Sequence, residues 1–163
     1  MTGRQPAVRL RRATASDADL LLDWANDPVT RAASFHPDPI DRSGHVRWLA
    51  ARVASPATAF WIGESDDGRP IGQVRVEIGA DAVGEVSIST APDARGSGFG
   101  AALLRAAIDE TRESLPVERL LARVRLDNPA SLALFRGAGF RERSHGTCFD
   151  VPCATFELEP GRP

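Results

Sequence analysis

Three spaced glycines, Gly96, Gly98 and Gly100, connect the end of a predicted strand to the start of a predicted helix. Residues 87–90 are typical of a strand end, and apolar residues at helical spacing begin at Leu103. The last two glycines therefore lie at a helix N-terminus, where unpaired amides and the positive end of the helix dipole favour an anion. Because glycine has no side chain to block the approach, this stretch predicts a turn that binds a phosphate.

The bulk composition limits what that anion can belong to. The chain has 163 residues and a formal net charge of −2, so no global positive field favours nucleic acid or an anionic membrane as a partner. Its length is that of one ordinary domain, which we expect to span 1–163 with a core from about 7 to 158. No apolar run has the length of a membrane span or the form of a signal peptide, so we expect a cytoplasmic protein.

The use of cysteine, lysine and tyrosine narrows the chemistry further. Cys148 and Cys153 are too few for a disulfide framework and have no partner pair for zinc, so we expect two free thiols and no metal site. All 20 basic residues are arginine, and the chain contains no lysine and no tyrosine. A phosphate loop of the nucleoside-triphosphate type is excluded because it requires a lysine.

The periodicity along the chain predicts a mixed α/β domain of the α+β type. Strands are predicted at 7–12, 58–64, 71–78, 83–90, 119–124, 140–144 and 154–158. Helices are predicted from Ser16, as N-cap, to Trp24, from 41 to 53, from the glycine turn to about 114, and from Asn128 to Gly137. Three prolines predict a loop over 28–40. The order is thus β, α, α, β, β, β, α, β, α, β, β.

The glycine turn has two alternatives on the residues alone. Residues 96–101 formally fit the glycine pattern of dinucleotide-binding folds. Such a fold needs the glycines directly after its first strand and an acidic residue at the end of the next strand, whereas three strands come first here and Glu118 precedes the next strand. The other alternative is a tight strand-to-helix turn that binds nothing.

Two spaced motifs follow successive predicted strands. They are Arg95-x-x-Gly98-x-Gly100, and Asn128-x-x-Ser131-x-x-x-Phe135-x-x-x-Gly139-Phe140. Together with the order of elements, they resemble the GNAT superfamily of acyl-CoA N-acyltransferases, from about Ala7 to Leu158. The resemblance implies a GNAT fold, in which a mixed and mostly antiparallel sheet of about seven strands is splayed in the middle and flanked by about four helices.

The resemblance also implies a coenzyme site, with acetyl-CoA as co-substrate and no metal. The pantetheine arm would lie in the gap of the sheet, beside the backbone of Ser87, Ile88, Ser89 and Thr90. The pyrophosphate would be held by the amides of Arg95, Gly96, Ser97, Gly98, Phe99, Gly100 and Ala101. The remaining coenzyme contacts would come from Asn128, Ser131 and Phe135. A helix cap and a core residue are the alternative roles of Asn128 and Phe135.

Acetyl transfer needs a group that takes a proton from the amine, because only the free base attacks a thioester. In the superfamily this is often a glutamate on the strand before the phosphate loop, which implies Glu85 as the general base. Strand alternation places Glu85 with Ser87 and Ser89 on one face, away from the apolar residues between them. The other candidate bases are His36, His45 and Asp27.

The tyrosine with which many relatives protonate the departing thiolate has no counterpart, since Phe135 lies near that position. A thiol with a pKa of about 8.5 is a tolerable leaving group near neutral pH, so that loss need not abolish activity. Ser131, Cys148 or water could supply the proton instead. Ser131 therefore joins Glu85 as a candidate catalytic residue.

The acceptor is less constrained than the donor. Two N-terminal stretches, 24–28 and 40–48, resemble bacterial GNAT members that acetylate amino sugars on nucleotide carriers and, more weakly, ribosomal-protein N-terminal acetyltransferases. The resemblance implies that the acceptor contacts Trp24, Asn26, Asp27, His36 and His45. Trp24 and Trp48 fit core anchors better than substrate contacts. Pairing with an acidic acceptor is open to Arg31, Arg47 and Arg75.

We therefore expect an acetyl-CoA-dependent N-acetyltransferase that acts on a primary amine of a small molecule by direct attack in a ternary complex. An amino-sugar nucleotide is one candidate acceptor. A protein N-terminal acetyltransferase and a non-catalytic acyl-CoA sensor are the alternatives, the second because of the missing tyrosine. A homodimer is compatible with the sequence.

Overall fold

The computed structural model describes residues 3–161 and contains a seven-stranded sheet flanked by helices. The strands are β1 (Arg9–Arg12), β2 (Thr58–Glu64), β3 (Pro70–Ile78), β4 (Val83–Thr90), β5 (Arg119–Arg125), β6 (Arg141–Cys148) and β7 (Val151–Leu158). The α-helices are α1 (Ala18–Ala25), α2 (Pro28–Ala33), α3 (Arg42–Ala54), α4 (Phe99–Ser114) and α5 (Pro129–Gly137). None of the helices described between residues 3 and 161 is both long and apolar enough to cross a bilayer.

The sheet divides in its middle. Its strands follow the order β1-β2-β3-β4-β5-β7-β6, and the pair β4 and β5 is parallel whereas the other neighbours are antiparallel. β4 and β5 pair only over residues 83–85 and 119–121, and they diverge beyond Glu85. β5 continues to pair with β7 as far as Arg125. This confirms the mostly antiparallel, splayed sheet, and we call the last β4–β5 pair, Glu85 with Leu121, the vertex.

The two faces of the sheet are covered differently. A Cβ at Gly63 or Gly72 would lie 2.6 Å or 2.9 Å from the Leu103 side chain of α4, so both strands need glycine where this helix crosses them. On the opposite face the Trp48 ring of α3 packs edge-on against the Phe60 ring of β2, with 5.9 Å between the ring centroids. Ser87 of β4 is exposed on that second face. The face opposite α4 is therefore open next to the vertex.

Helix α2 lies inside the segment that the prolines predicted as a loop. Pro28 occupies its first turn, where a missing amide costs nothing, and the Asp27 side chain accepts a hydrogen bond from the Thr30 amide at 3.2 Å. The prediction of a loop over the whole of 28–40 was wrong, because proline was treated as a helix breaker where it begins a helix. Residues 3–161 contain five α-helices, where about four were expected.

The first helix also begins differently from the prediction. Thr14, not Ser16, caps the chain there, in a capping box with Asp17 that opens a 3₁₀ turn over Ala15–Asp17. Arg11 donates two hydrogen bonds to the Asp17 carboxylate, at 2.8 Å and 3.0 Å. These bonds lower the pKa of Asp17. The Ser16 cap was wrong because the carboxylate that closes the capping box is that of Asp17 and not that of Asp19. Asp17 is held in place by its ion pair with Arg11 of β1.

The two cysteines form a disulfide, with their Cα atoms 6.0 Å apart. β6 and β7 extend further than predicted and meet at a two-residue turn, Phe149 and Asp150, whose φ angles are +50° and +65°. This hairpin brings Cys148 and Cys153 together. The expectation of two free thiols was wrong, and a disulfide-bonded Cys148 has no thiol proton to donate.

Candidate active site

The glycine turn leaves amides free at the start of α4. Gly96 and Gly98 have φ angles of +76° and +82°, a left-handed conformation that glycine adopts without strain. Gly98 is the N-cap of the 16-residue helix α4, and no side chain of the described residues caps this terminus. The first amides of α4 therefore have no partner inside the helix. These are the amides for which the sequence predicts an anion-binding role.

A stretch of unpaired backbone leads from this turn to the vertex. On one side, β4 pairs with β3 from Gly84 to Thr90. On the other side its pairing with β5 stops at Glu85. Backbone groups of residues 86–90 that point toward β5 thus lack a strand partner, and an extended ligand arm can pair with them. The four predicted pantetheine contacts, Ser87 to Thr90, lie in this stretch.

The second motif is placed beside the gap, and two of its side chains have structural roles. The Asn128 side chain accepts a hydrogen bond from the Ser131 amide at 3.2 Å and so caps α5. Phe135 is 3% exposed and packs edge-on against Phe140 at 5.1 Å, and against Phe156. Ser131 is half-buried in the first turn of α5. The coenzyme contacts of these residues stay predictions.

Polar side chains of β3 and β4 line the open face. The strand register places Glu77 opposite Glu85, and Gln73 opposite Ser89. The Gln73 amide donates a hydrogen bond to the Ser89 hydroxyl at 3.0 Å, so these side chains share one face as the alternation predicts. Glu85 is at the vertex on this face, 44% exposed, with its carboxylate 3.7 Å from the Arg123 guanidinium of β5.

Charged residues gather around Glu85, and we call them the charged cluster. Its members are Arg52, Arg75, Glu77, Glu85 and Arg123. Arg75 lies over the Trp48 ring at 4.9 Å, with its side chain 19% exposed. Both Arg52 and Arg75 approach Glu77 within ion-pair distance, at 3.2 Å and 3.3 Å. Burial lowers the pKa of Arg75. Three guanidinium groups face two carboxylates, which leaves the cluster with one surplus positive charge.

Two of the predicted acceptor contacts are structural. Trp24 is 8% exposed in the core. Asn26 exchanges two hydrogen bonds with the backbone of Ile40, at 2.9 Å and 2.8 Å, and so closes the segment between them. The side chain of Asn26, which was predicted to contact the acceptor, instead closes the loop between residues 26 and 40. A role for either residue in binding the acceptor stays a prediction.

The two predicted histidines lie in opposite environments. His45 is 5% exposed and stacks on Trp48 at 5.5 Å between ring centroids, and burial lowers its pKa. His36 is exposed, and its ring packs edge-on against Phe149 of the β6–β7 hairpin at 4.5 Å. His36 is thus at the rim of the open face, whereas His45 supports Trp48 from behind.

Asp27 joins the N-terminal segment to the glycine turn. Its carboxylate accepts a hydrogen bond from Arg95 at 2.7 Å. That bond lowers the pKa of Asp27, which makes it a poor proton acceptor. Arg31, a candidate for an acidic acceptor, instead donates to backbone carbonyls, including that of His36 at 2.8 Å.

Sequence reasoning missed Arg52 and Arg123. Each had a signal: Arg52 follows Trp48 by one helical turn, and Arg123 alternates along β5 with Arg125. Neither pattern indicates that these arginines lie next to Glu77 and Glu85, which belong to other elements. Within residues 3–161 no three metal-ligating side chains come together.

The chain resembles known acetyltransferases in sequence. Residues 7–141 match the family model of the acetyltransferase (GNAT) domain. The chain is 31% identical over 176 residues to an L-methionine sulfoximine/L-methionine sulfone acetyltransferase of Pseudomonas paraeruginosa, across 96% of this chain and 98% of the relative. The Pseudomonas aeruginosa protein of the same name is 30% identical over the same shares of both chains.

Solved structures match the fold. The spermidine N-acetyltransferase from Vibrio cholerae, in complex with CoA and spermine, superposes with a TM-score of 0.84 at 20% identity, over 94% of this chain and 95% of that one. The acetyltransferase AAC(6')-Ib, in complex with ribostamycin and coenzyme A, gives 0.82 at 19% identity, over 94% and 93%. Both likenesses extend to the fold alone.

Proposed function

Since this chain belongs to the GNAT acetyltransferase family, we propose that it acetylates the primary amine of a small molecule that carries a negative charge. The chain is an acetyl-CoA-dependent N-acetyltransferase, and what is proposed is the nature of its acceptor and the residues that act on it. The observation that carries the proposal is the surplus positive charge of the cluster around Glu85.

The charged cluster discriminates between classes of amine. Arg75 is held over Trp48, so it is ordered before any ligand arrives. An anion next to the acceptor amine gains from this guanidinium, and two unit charges at about 4 Å interact by about 4 kcal/mol at an effective dielectric constant near 20. Polyamines and aminoglycosides carry several cations and lose a comparable amount. A small anionic amine is therefore favoured over a polycation.

The donor side is built from backbone. Amides of residues 95–101 are proposed to hold the pyrophosphate, and the unpaired edge of β4 to hold the extended arm. Acetyl-CoA supplies a thioester, whose carbonyl carbon bonds to the amine nitrogen while its C–S bond breaks. The arm is directed along β4 from the turn toward the vertex. The reacting carbonyl thus comes to the residues around Glu85.

Glu85 is proposed as the general base. It lies at the vertex on the open face, whereas His45 is buried behind Trp48 and Asp27 is held by Arg95. Glu85 accepts the proton of the attacking amine, directly or through water. A backbone amide between Val86 and Ser89 meets the developing oxyanion. Ser131 or water returns a proton to the thiolate, since Cys148 is disulfide-bonded.

Two kinds of molecule share the required chemistry of an amine and an anion. One is an amino-sugar nucleotide, which the resemblance of residues 24–28 and 40–48 favours. The other is an amino acid derivative, the class to which L-methionine sulfoximine of the Pseudomonas relatives belongs. In the amino acid the carboxylate is adjacent to the amine, and Arg75 lies on the same face as Glu85, opposite Ser87 in the strand register and so two residues along β4 from Glu85. In the amino-sugar nucleotide the diphosphate lies further away.

A thiol-release assay with acetyl-CoA tests the acceptor. The panel contains L-methionine sulfoximine, an amino-sugar nucleotide, spermidine, an aminoglycoside and a peptide with a free N-terminus. We expect turnover on one of the first two, and Arg75→Met should raise KM for that acceptor at least tenfold. Arg105→Met is the matched control, since Arg105 is an exposed arginine of α4, which covers the other face of the sheet. Turnover confined to polycations or peptides, unaffected by Arg75→Met, would contradict the proposal, and binding without turnover on any acceptor would favour the sensor.

A further inference from the structure

We propose that the ion pair between Arg95 and Asp27 couples the coenzyme turn to residues 28–40, and that Asp27 is a positioning residue through which coenzyme binding orders that segment. We call residues 28–40, which comprise α2 and the loop after it, the acceptor wall. The inference rests on the proposed coenzyme site at residues 95–101. It adds a link between donor and acceptor that the proposed function does not require.

The ion pair joins two segments that are far apart in sequence. Arg95 donates from one nitrogen, Nη2, to the Asp27 carboxylate at 2.7 Å and to the Thr30 hydroxyl at 2.8 Å. The same Asp27 oxygen accepts from the Thr30 amide at 3.2 Å. The Asp27 side chain is 18% exposed and that of Arg95 is 34% exposed. The pair is thus partly shielded from water, where a charge-assisted bond is stronger than on the surface.

The acceptor wall has little buried apolar surface, since the aromatic contacts of Phe35 and His36 are with Phe149, which is itself 62% exposed. No residue of α2 is buried, and Val29 is 61% exposed. A helix of six residues is not stable by itself, so its position depends on polar contacts with the rest of the protein. Arg125 of β5 provides one, by donating to the Ser34 carbonyl at 2.7 Å. Arg95 provides the contact at the start of the helix.

Arg95 is also part of the turn that the coenzyme would order. An anion on the amides of residues 95–101 fixes the backbone from which the Arg95 side chain projects. Once its backbone is fixed, Arg95 loses less conformational entropy when it binds Asp27 and Thr30. The acceptor wall therefore becomes more ordered when coenzyme is bound. Linkage is reciprocal, and therefore an acceptor that binds to the ordered wall raises the affinity for coenzyme.

Amide hydrogen exchange with coenzyme A alone tests the coupling. In the wild type, saturating coenzyme A should slow exchange both at residues 96–101 and across residues 28–40, at least threefold in the second segment. Asp27→Asn removes the charge and keeps a good helix cap. In this variant we expect the slowing at 96–101 to remain and that at 28–40 to disappear. Thr30→Val, which removes the second acceptor of Arg95, should give an intermediate result.

Asp23→Asn is the matched control. Asp23 lines the same cleft of about 510 Å³ as Asp27, and it has no ion-pair partner among residues 3–161. This variant should behave as the wild type. A kinetic readout separates positioning from a general loss of structure: Asp27→Asn should raise KM for the acceptor while the Kd for coenzyme A is retained, and Asp23→Asn should change neither.

Three results would overturn the coupling. The first is equal slowing at 28–40 in Asp27→Asn and in the wild type. The second is faster exchange at 28–40 when coenzyme A binds the wild type, which would mean that the diphosphate pulls Arg95 away from Asp27. The third is no slowing at 96–101 in the wild type; this removes the proposed coenzyme site together with the coupling, and the absence of protection in both segments distinguishes it from the first two.

Discussion

The proposed donor and acceptor halves of the site are built in different ways. The donor half is one continuous stretch, from the vertex at Glu85 through the glycine turn to the start of α4, and it presents backbone groups. The acceptor half is made of side chains from α3, β3, β4 and β5, with the acceptor wall and the β6–β7 hairpin at its rim. A site made of backbone groups is visible in the sequence because it needs glycines where side chains would be in the way. A site made of side chains depends on which residues of different elements come together in the fold.

Gly98→Val tests most directly whether backbone groups of the donor half bind the coenzyme. Valine at a φ of +82° is strained, and its Cβ would lie 3.3 Å from the Pro6 side chain, so we expect the substitution to displace the backbone amides that are proposed to hold the pyrophosphate. We expect acetyl-CoA to give this variant no thermal stabilisation. At 100 times Kd, the wild type should gain about 2.7 kcal/mol.

Gly68→Val separates the two causes. Gly68 has a φ of +80° in the β2–β3 turn, and no atom lies within 4 Å of the position that a Cβ would take, so valine brings a similar backbone strain at a place remote from the glycine turn. This control should lose stability but keep its full gain with acetyl-CoA. An equal loss of the ligand effect in both variants would mean that a general loss of stability, and not a displaced glycine turn, explains Gly98→Val.

Glu85→Gln tests whether the chemistry belongs to the acceptor face. We expect kcat at pH 7 to fall by about 100-fold, with the Kd of acetyl-CoA unchanged, because a general base contributes at least that factor. Below the pKa of the amine, each added pH unit raises the free base about tenfold, so the variant should recover at high pH. Steady-state kinetics from about pH 7 to 10 measure both effects.

Glu77→Gln is the control on the neighbouring strand. Glu77 pairs with Glu85 in the strand register and contacts Arg75, so its loss should change KM for the acceptor more than kcat. If the two glutamine variants have the same kinetics, Glu85 is not the base and acts only through the charge of the cluster.

Phe135→Leu asks whether a side chain of α5, outside this continuous stretch, contacts coenzyme. The aromatic contact with Phe140 and some volume would be lost, so we expect a decrease of about 1 to 2 kcal/mol in the free energy of unfolding. The Kd of coenzyme A should not change. Phe140→Leu removes the other ring of the same contact, and a rise in Kd confined to Phe135→Leu would establish a coenzyme contact.

The smallest expected effect is a pH dependence from His45. Burial lowers its pKa in the folded state, so below about pH 6.5 the unfolded chain binds a proton that the folded chain does not. Stability is therefore retained above this pH and is lost as the pH falls toward the folded-state pKa. The slope from one group is at most about 1.4 kcal/mol per pH unit. Urea unfolding at about pH 5 to 7 should show a shallower slope in His45→Gln, and equal slopes would contradict this source.

Much of the fold followed from local signals. The β2–β3 hairpin, the glycine turn and the Asn128 cap each depend on residues a few positions apart, and the structure has all three. Two errors concern the starts of helices: Asp27 caps a helix that begins at Pro28, and Thr14 forms a capping box with Asp17, whose carboxylate also accepts from Arg11. The disulfide was missed because Cys148 and Cys153 come together only when β6 and β7 extend to the turn between them. The strands predicted from the sequence were too short to include either cysteine.

The sequence by itself determined the family, the order of most elements and the donor, because glycine spacing and strand-to-helix turns act through the local backbone. Only the tertiary structure decided what surrounds Glu85. Arg52, Arg75 and Arg123 come from three elements, and Arg95 meets Asp27 across 68 positions of the chain. Such contacts depend on strand register and on how α3 crosses the sheet. These are set by the packing of the whole core, and no spacing within one segment encodes them.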